Sequence, residues 1–387
     1  MTEVDSYTPL WEPSMSNHEF VQTSDEECES TWSTWPEMQE RAIKNGTVLV
    51  WNMGSSVGHF IRALIYILPL VHLLEVGLII NLSDFPAFRV AFEPAAVKWD
   101  VDPTPFLQLA SDASEGVTAD GKHALMYRRG TFILSDTQFD RLAETMGVGG
   151  VDRRVMQSGL NTKLGANWRE SLSIGAGLKP PPSCVWNMLL RRTAQMVSSI
   201  EAHSPWEGPL HGFVAAGGTP YSAWHIRTSE GETSHSFSAE RNVYIFDHQS
   251  PSSVCPLFIS TREIIRAACP QLSATQGRPM PVFISSNSKR MARNCSAGAE
   301  DHGFKPGFVD LGIAPDESHT MFSKNPDTVV NAFIDFLYLM DASVIVSTGS
   351  SFSFAVAEIK GYRSHQIAAR DSIHIVNKVY IFVPQHC

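Results

Sequence analysis

Four short stretches of this chain set anion-binding or proton-transferring side chains directly after an apolar run. The first is His225-Ile226-Arg227, which closes the strand-like run begun at Tyr221. Ligands of open α/β sheets gather at the carboxyl ends of strands. The planar guanidinium of Arg227 offers a fork of donors suited to a diphosphate. A polar turn from Thr228 to Thr233 follows and carries two carboxylates, Glu230 and Glu232. Taken alone, the segment also fits an ordinary surface loop.

The second stretch runs from Val346 through Ser350-Ser351-Phe352-Ser353. A strand passes through small hydroxyl residues and Gly349 into a helix. The first amides of a helix, aided by hydroxyls, make an anion site, and glycine lets a phosphate approach the backbone. Simple helix capping by Ser350 or Ser351 fits equally. The third stretch, Val282 to Lys289, ends a strand in Ser286 and Asn287, which can meet a base or ribose edge or form an Asx turn. The fourth is Gly54-Ser55-Ser56-Val57-Gly58 with His59 and Arg62. A first βα turn commonly faces a ligand, but these glycines are not spaced as G-x-G-x-x-G. His59 and Arg62 also read as a satisfied, partly exposed pair.

The elements that must position these groups alternate. Thr47–Trp51 and Leu78–Leu82 read as buried strands, and the polar positions between them recur every three or four residues, the period of a helix over Val57–Val76. Pro69 is expected to bend or break that helix. Residues 85–175 show few clear periods and are expected to form loops and irregular helices. Pro180-Pro181-Pro182 must be extended, and Val185–Glu201 reads as one amphipathic helix. A Gly/Pro-rich break over 203–220 separates a second alternating half. Its expected strands are Tyr221–Ile226, Val243–Phe246, Pro281–Ser285, Phe308–Asp310, Ser343–Ser347 and Ile373–Val383. Helices are expected over Ser260–Ala268, Asp327–Met340 and Ser351–Lys360.

The chain has 387 residues, 43% of them hydrophobic, which suits two lobes rather than one core. Its net charge of −10 sits at one end. Residues 1–40 hold ten acids and no Lys or Arg, leaving thirty acids and thirty bases in the remainder. The expected organisation is an acidic tail over 1–40, an N-terminal lobe over 41–205 and a C-terminal lobe over 206–387. A neutral body argues against broad nucleic-acid binding, which needs a basic surface. The six cysteines lack C-x-x-C spacing, so no zinc site is read, and disulfides are allowed but not demanded. The start lacks the basic and apolar regions of a signal peptide, and the apolar stretch from Phe60 to Leu82 is too interrupted to span a membrane. Asn-x-Ser/Thr triplets at Asn45, Asn81 and Asn294 are about what chance supplies, with Asn81 expected to be buried.

The order of Gly54–Asn81, His225–Thr233, Val282–Asn287 and Asp335–Glu358 resembles the fucosyltransferase superfamily of GT-B fold. That superfamily includes the α1,6-, nodulation and protein O-fucosyltransferases. The resemblance implies an α/β, GT-B-like architecture of two facing Rossmann-like lobes with mostly parallel sheets. It implies that Arg227, in an H-x-R motif with His225, grips the β-phosphate of GDP-fucose. It implies too that Asp335, Asp341 and Ser350–Ser353 belong to the donor site, with Gly54, Ser55, Gly58, His59 and Arg62 in the first-lobe turn. The reaction so implied is an inverting, metal-independent transfer of fucose to a glycan or protein hydroxyl, with no cofactor beyond the nucleotide-sugar donor. The compartment follows as the secretory pathway if the N-terminus is truncated and the cytoplasm otherwise. A catalytically inactive nucleotide- or glycan-binding protein of the same shape is the alternative. A Rossmann-type oxidoreductase is disfavoured by the missing glycine fingerprint.

Overall fold

A computed structural model of the protein describes residues 32–52, 57–127, 130–147, 154–158, 183–206, 220–227, 251–273, 279–309, 326–370 and 376–384. By its internal contacts the chain divides into two compact units, Val21–Met196 and a second built on Val197–Cys387.

The first unit opens with helix α1 (Trp35–Lys44), whose Pro36 suits a helix start. Strand β1 (Val48–Asn52), helix α2 (Val57–Leu74) and strand β2 (Gly77–Asn81) follow. β1 and β2 pair in parallel, as the strand–helix–strand reading requires. Helix α2 does not stop at Pro69, which lies inside it. Next come the short α3 (Phe88–Ala91) and β3 (Phe92–Pro94), then α4 (Thr104–Ser111), the hairpin β4 (His123–Tyr127) and β5 (Gly130–Leu134), and α5 (Asp136–Thr145).

The span expected to be loops therefore holds regular elements. Among the described residues none exceeds ten residues, so no period repeats often enough to be read. The sheet order is β2-β1-β5-β4, and both β1/β5 and β4/β5 are antiparallel. The expectation of mostly parallel sheets fails in this unit, because a tight hairpin can join only antiparallel strands. The helix expected over Val185–Glu201 is also cut. α6 (Ser183–Leu189) gives way to β6 (Leu190–Arg192), which pairs antiparallel with β3, before α7 (Ala194–Ala202). Tertiary pairing overrides helix propensity there.

The outer edge of β2 is closed by a side chain. Gln39 of α1 is fully buried. Its Nε2 donates to Leu78 O at 2.7 Å and to Lys98 O at 2.7 Å, and its Oε1 accepts from Leu78 N at 2.8 Å. Ile80 N donates to Trp99 O at 3.0 Å. Backbone groups that a further strand would have paired are met in this way.

The second unit has β7 (Ser222–Ile226), helices α8 (Pro251–Ser260) and α9 (Arg262–Ala268), β8 (Met280–Ser286), α10 (Lys289–Asp301), β9 (Phe304–Gly307), α11 (Pro326–Asp341), β10 (Val344–Ser347), α12 (Ser351–Lys360), β11 (Arg363–Arg370) and β12 (Val376–Val383). The sheet order is β11-β12-β10-β7-β8-β9. The central pairs β10/β7, β7/β8 and β8/β9 are parallel, whereas β12 runs antiparallel to both β10 and β11. Mixed α/β architecture with parallel pairing is thus the observed class.

The strand expected at Phe308–Asp310 lies earlier, at Phe304–Gly307. There Pro306 is tolerated because β9 is an edge strand. The terminal strand is half of a hairpin, and the helix expected over Ser260–Ala268 is α9, preceded by α8, which was not expected. Val243–Phe246 lies outside the described residues.

β7 is buried on both faces. Trp224, Ile226, Val282, Ile284, Val344 and Val346 form one face and pack with Val254 and Phe258 of α8 and Met291 of α10. Cys255 and Cys295, in the same cluster, form a disulfide joining α8 to α10, and Cys269 is disulfide-bonded as well.

Candidate functional site

In the second unit the chain passes from β7 to β8 and β9 on one flank, then returns to lay β10 on the other flank of β7. The reversal creates a switch point at the carboxyl ends of β7 and β10, where open α/β sheets leave a crevice for ligands. Two of the four sequence stretches end there. β7 runs out into Arg227, and β10 runs out into Thr348-Gly349-Ser350 and α12.

Thr348 ties the two ends together. Its Oγ1 accepts from Arg227 N at 2.9 Å and lies 3.3 Å from Arg227 O, to which it donates. Its own N–H donates to His225 O at 3.2 Å. One buried hydroxyl therefore fixes the backbone of Arg227 against the start of the serine turn.

The turn is held by its own hydroxyls. Ser353 Oγ donates to Ser350 O at 3.0 Å. A hydroxyl has a single proton, so the 2.6 Å contact between Ser347 Oγ and Ser353 Oγ must have Ser347 as donor. Ser347 Oγ in turn accepts from Gly349 N at 3.1 Å. Ser350 is the N-cap, its Oγ accepting from Phe352 N at 3.3 Å. Gly349 has φ +91°, and a Cβ there would lie 2.8 Å from Tyr380 Cε2, so both the backbone and the space require glycine. Among the described residues no acceptor meets the Ser351 amide. With the positive end of the α12 dipole, that amide suits an anion.

Behind the turn runs a buried polar row. Ser347, His225 and Ser285 are register partners on three adjacent strands, so their side chains share a face. Ser285 Oγ donates to Asp335 Oδ2 of α11 at 2.9 Å. Burial pushes the Asp335 carboxyl up to about 7, with the Ser285 bond opposing. Burial drives His225 down to about 3, helped by the charge of Arg227, so its imidazole stays neutral. The His225 ring packs on Phe352 (centroids 5.3 Å apart), which meets Phe336 edge-on at 5.2 Å. His225 Nδ1 is buried with no hydrogen-bond partner among the described residues.

No protein-family profile matches the chain, and no curated protein matches its sequence. Several solved structures are similar in outline. One is a mutant of Arabidopsis thaliana FUT1 in complex with GDP, with 11% identity, a TM-score of 0.45, and coverage of 91% of this chain and 79% of that one. So loose a superposition transfers no substrate and no residue role.

The residues expected to act together divide as follows. His225, Arg227, Ser286, Asn287 and Ser350 to Ser353 all lie at the carboxyl ends of β7, β8 and β10. Within that group the roles separate. Ser353 is fully buried and its hydroxyl is spent inside the turn. Ser286 Oγ donates to Ile226 O at 2.8 Å and accepts from Ser288 N at 3.1 Å, so it braces β7 against the start of α10. Both shape the site instead of presenting a free hydroxyl. Phe352 is an inward packing residue.

Gly58, His59 and Arg62 begin α2 in the other unit, where Gly58 and Arg62 are buried. Gly54, Ser55, Glu230, Glu232 and the side chain of His59 lie outside the described residues. Gly349 and Asp335 were named from sequence; the Thr348 tie to Arg227, the Ser347–Ser353 contact and the bond of Ser285 to Asp335 were not. A threonine directly before the turn glycine is the only local signal for them. Among the described residues no group of three His, Cys, Asp or Glu could hold a metal ion, and no helix is long and apolar enough to cross a membrane.

Proposed function

We propose that this chain is a glycosyltransferase of the fucosyltransferase kind, using GDP-fucose as donor and a glycan or protein hydroxyl as acceptor. The observation that carries this reading is the Thr348 tie, which fixes Arg227 beside the Gly349–Ser351 turn at the sheet's switch point. With the Arg227 backbone anchored at a helix N-terminus, its guanidinium and the first α12 amides can serve one diphosphate. We assign the donor to the second unit and the acceptor to the first.

In the reaction the acceptor oxygen bonds to the anomeric carbon of the sugar from the face opposite the nucleotide. The bond from that carbon to the β-phosphate oxygen breaks, and GDP leaves with the electron pair. Charge then grows on the β-phosphate, where Arg227 and the first amides of α12 stabilise it. Glu230 or Glu232 takes the hydroxyl proton. The metal-free mechanism assigns to these donors the charge neutralisation that a divalent cation supplies elsewhere. The disulfides favour an oxidising compartment, so we assign the reaction to the secretory lumen.

Release of GDP from GDP-fucose in the presence of a mixture of glycan and peptide acceptors tests the assignment. Arg227→Ala is expected to lower turnover by about 100- to 1,000-fold, the usual cost of losing one transition-state donor, with unfolding unchanged. Full activity in that variant sinks the mechanism. Tight GDP binding without any release of GDP from GDP-fucose favours the inactive nucleotide-binding protein instead.

A further inference from the structure

We infer that Asn45 is an N-glycan acceptor, and that it alone of the three Asn-x-Ser/Thr triplets carries a glycan in the folded protein. The inference rests on the lumenal setting proposed above and not on the transfer chemistry.

Asn45 stands where α1 ends. Gly46 N donates to Ile43 O at 3.0 Å and Thr47 N donates to Ala42 O at 3.0 Å, the two bonds of a Schellman turn, with Gly46 at φ +68°. That turn holds Asn45 at its outer corner. The residue is exposed, and its side chain makes no hydrogen bond among the described residues. A bulky solvated group there displaces no packing and breaks no bond.

The other two triplets differ. Asn81, expected to be buried, is half-buried, and its Nδ2, the atom a glycan would modify, donates to Asn52 Oδ1 at 3.0 Å. Its Oδ1 accepts from Ser83 N at 3.1 Å and from Ser83 Oγ at 2.6 Å. A glycan there would break the side-chain bond from Asn81 to Asn52. Asn294 is exposed but lies inside α10, where residues two apart face away from each other. The Ser296 hydroxyl donates to Ala292 O at 2.9 Å, and the middle residue, Cys295, is buried in the disulfide to Cys255. The Asn294 triplet is therefore locked into the helix by the bridge.

The disulfides are the independent observation. A chain that forms them in an oxidising lumen also meets the machinery that modifies such triplets. In the modification Asn45 Nδ2 bonds to the anomeric carbon of an oligosaccharide carried on a lipid pyrophosphate. The bond from that carbon to the pyrophosphate oxygen breaks, the lipid pyrophosphate leaves with the electrons, and the amide loses a proton to a base of the transferring enzyme.

The test is to express the full chain through the secretory pathway of a eukaryotic host. Intact mass is compared before and after peptide N-glycosidase F, and free thiols are titrated in denaturant. The expected result is no reactive thiol and one glycan, lost wholly in Asn45→Gln and retained in both Asn81→Gln and Asn294→Gln. The glycosidase leaves an aspartate in place of the acceptor, which peptide mass mapping locates. A glycan that persists in Asn45→Gln, or no glycan on a fully bridged chain, overturns the Asn45 assignment and leaves the lumenal reading standing. Reactive thiols throughout overturn both.

Discussion

His225 and Asp335 share Ser285 as a neighbour, and each is held in its neutral form by burial. Their effects on stability oppose each other. The native His225 binds its proton less readily than the unfolded chain does, between about 3 and the ordinary histidine value of 6.5. Its contribution is therefore lost as pH falls through that window. The native Asp335 keeps its proton between 3.8 and about 7, where the unfolded chain has lost it, so its contribution is lost as pH rises. Asp335→Asn is expected to make stability rise more steeply with pH between about 4 and 6.5, and His225→Gln to reverse that slope. Denaturant unfolding at several pH values measures both, and parallel profiles for the two variants would refute the opposed pair. Thr348→Val removes a hydroxyl that serves Arg227 twice. It is expected to cost about 1–3 kcal/mol, the desolvation penalty for groups left unpaired, and to weaken GDP protection in a thermal-shift assay. Wild-type values in both assays would dismiss the tie. Arg227 and the serine turn were legible in the sequence because each lies just past its own strand. The Ser285–Asp335 bond was not, since it joins residues fifty positions apart that only packing brings together.

At the scale of elements, long and strongly periodic segments were readable and short paired ones were not. β7, β8, β10, α11 and α12 lie where apolar runs and serine turns place them. β6 has only three residues and exists because β3 pairs with it. Periodicity sees one strand at a time, so it cannot tell that Arg363–Arg370 folds back on Val376–Val383. The Gln39 contact is of the same kind, a helix side chain doing what a strand backbone does. Gln39→Leu keeps the bulk and leaves Leu78 N, Leu78 O and Lys98 O without their partner. The loss is expected to reach about 3 kcal/mol, from several unsatisfied groups at roughly 1–3 kcal/mol each. Denaturant titration reads it directly. A loss below about 0.5 kcal/mol, the range of a bland surface change, would show that water replaces the amide at no cost.

For the molecule as a whole, the Cys255–Cys295 bridge closes a separation of 40 residues across two helices of the second unit. Cysteine spacing gave no hint of it, because the sheet and not the sequence brings α8 to α10. Cys255→Ser with Cys295→Ser is expected to lower stability by about 2–4 kcal/mol. A dithiothreitol-treated wild type should show a comparable drop by calorimetry, and an unchanged melting temperature in both would remove the bridge from the account. The acidic end of the chain carries the whole net charge, and α1 begins within the last few residues of that acidic stretch. Cutting the chain back past Lys44 to discard the acidic stretch would therefore take Gln39 with it and leave the flank of Leu78 open. A bare strand margin is a template for another polypeptide, so such a shortened protein would trade a charged end for a tendency to self-associate through β2.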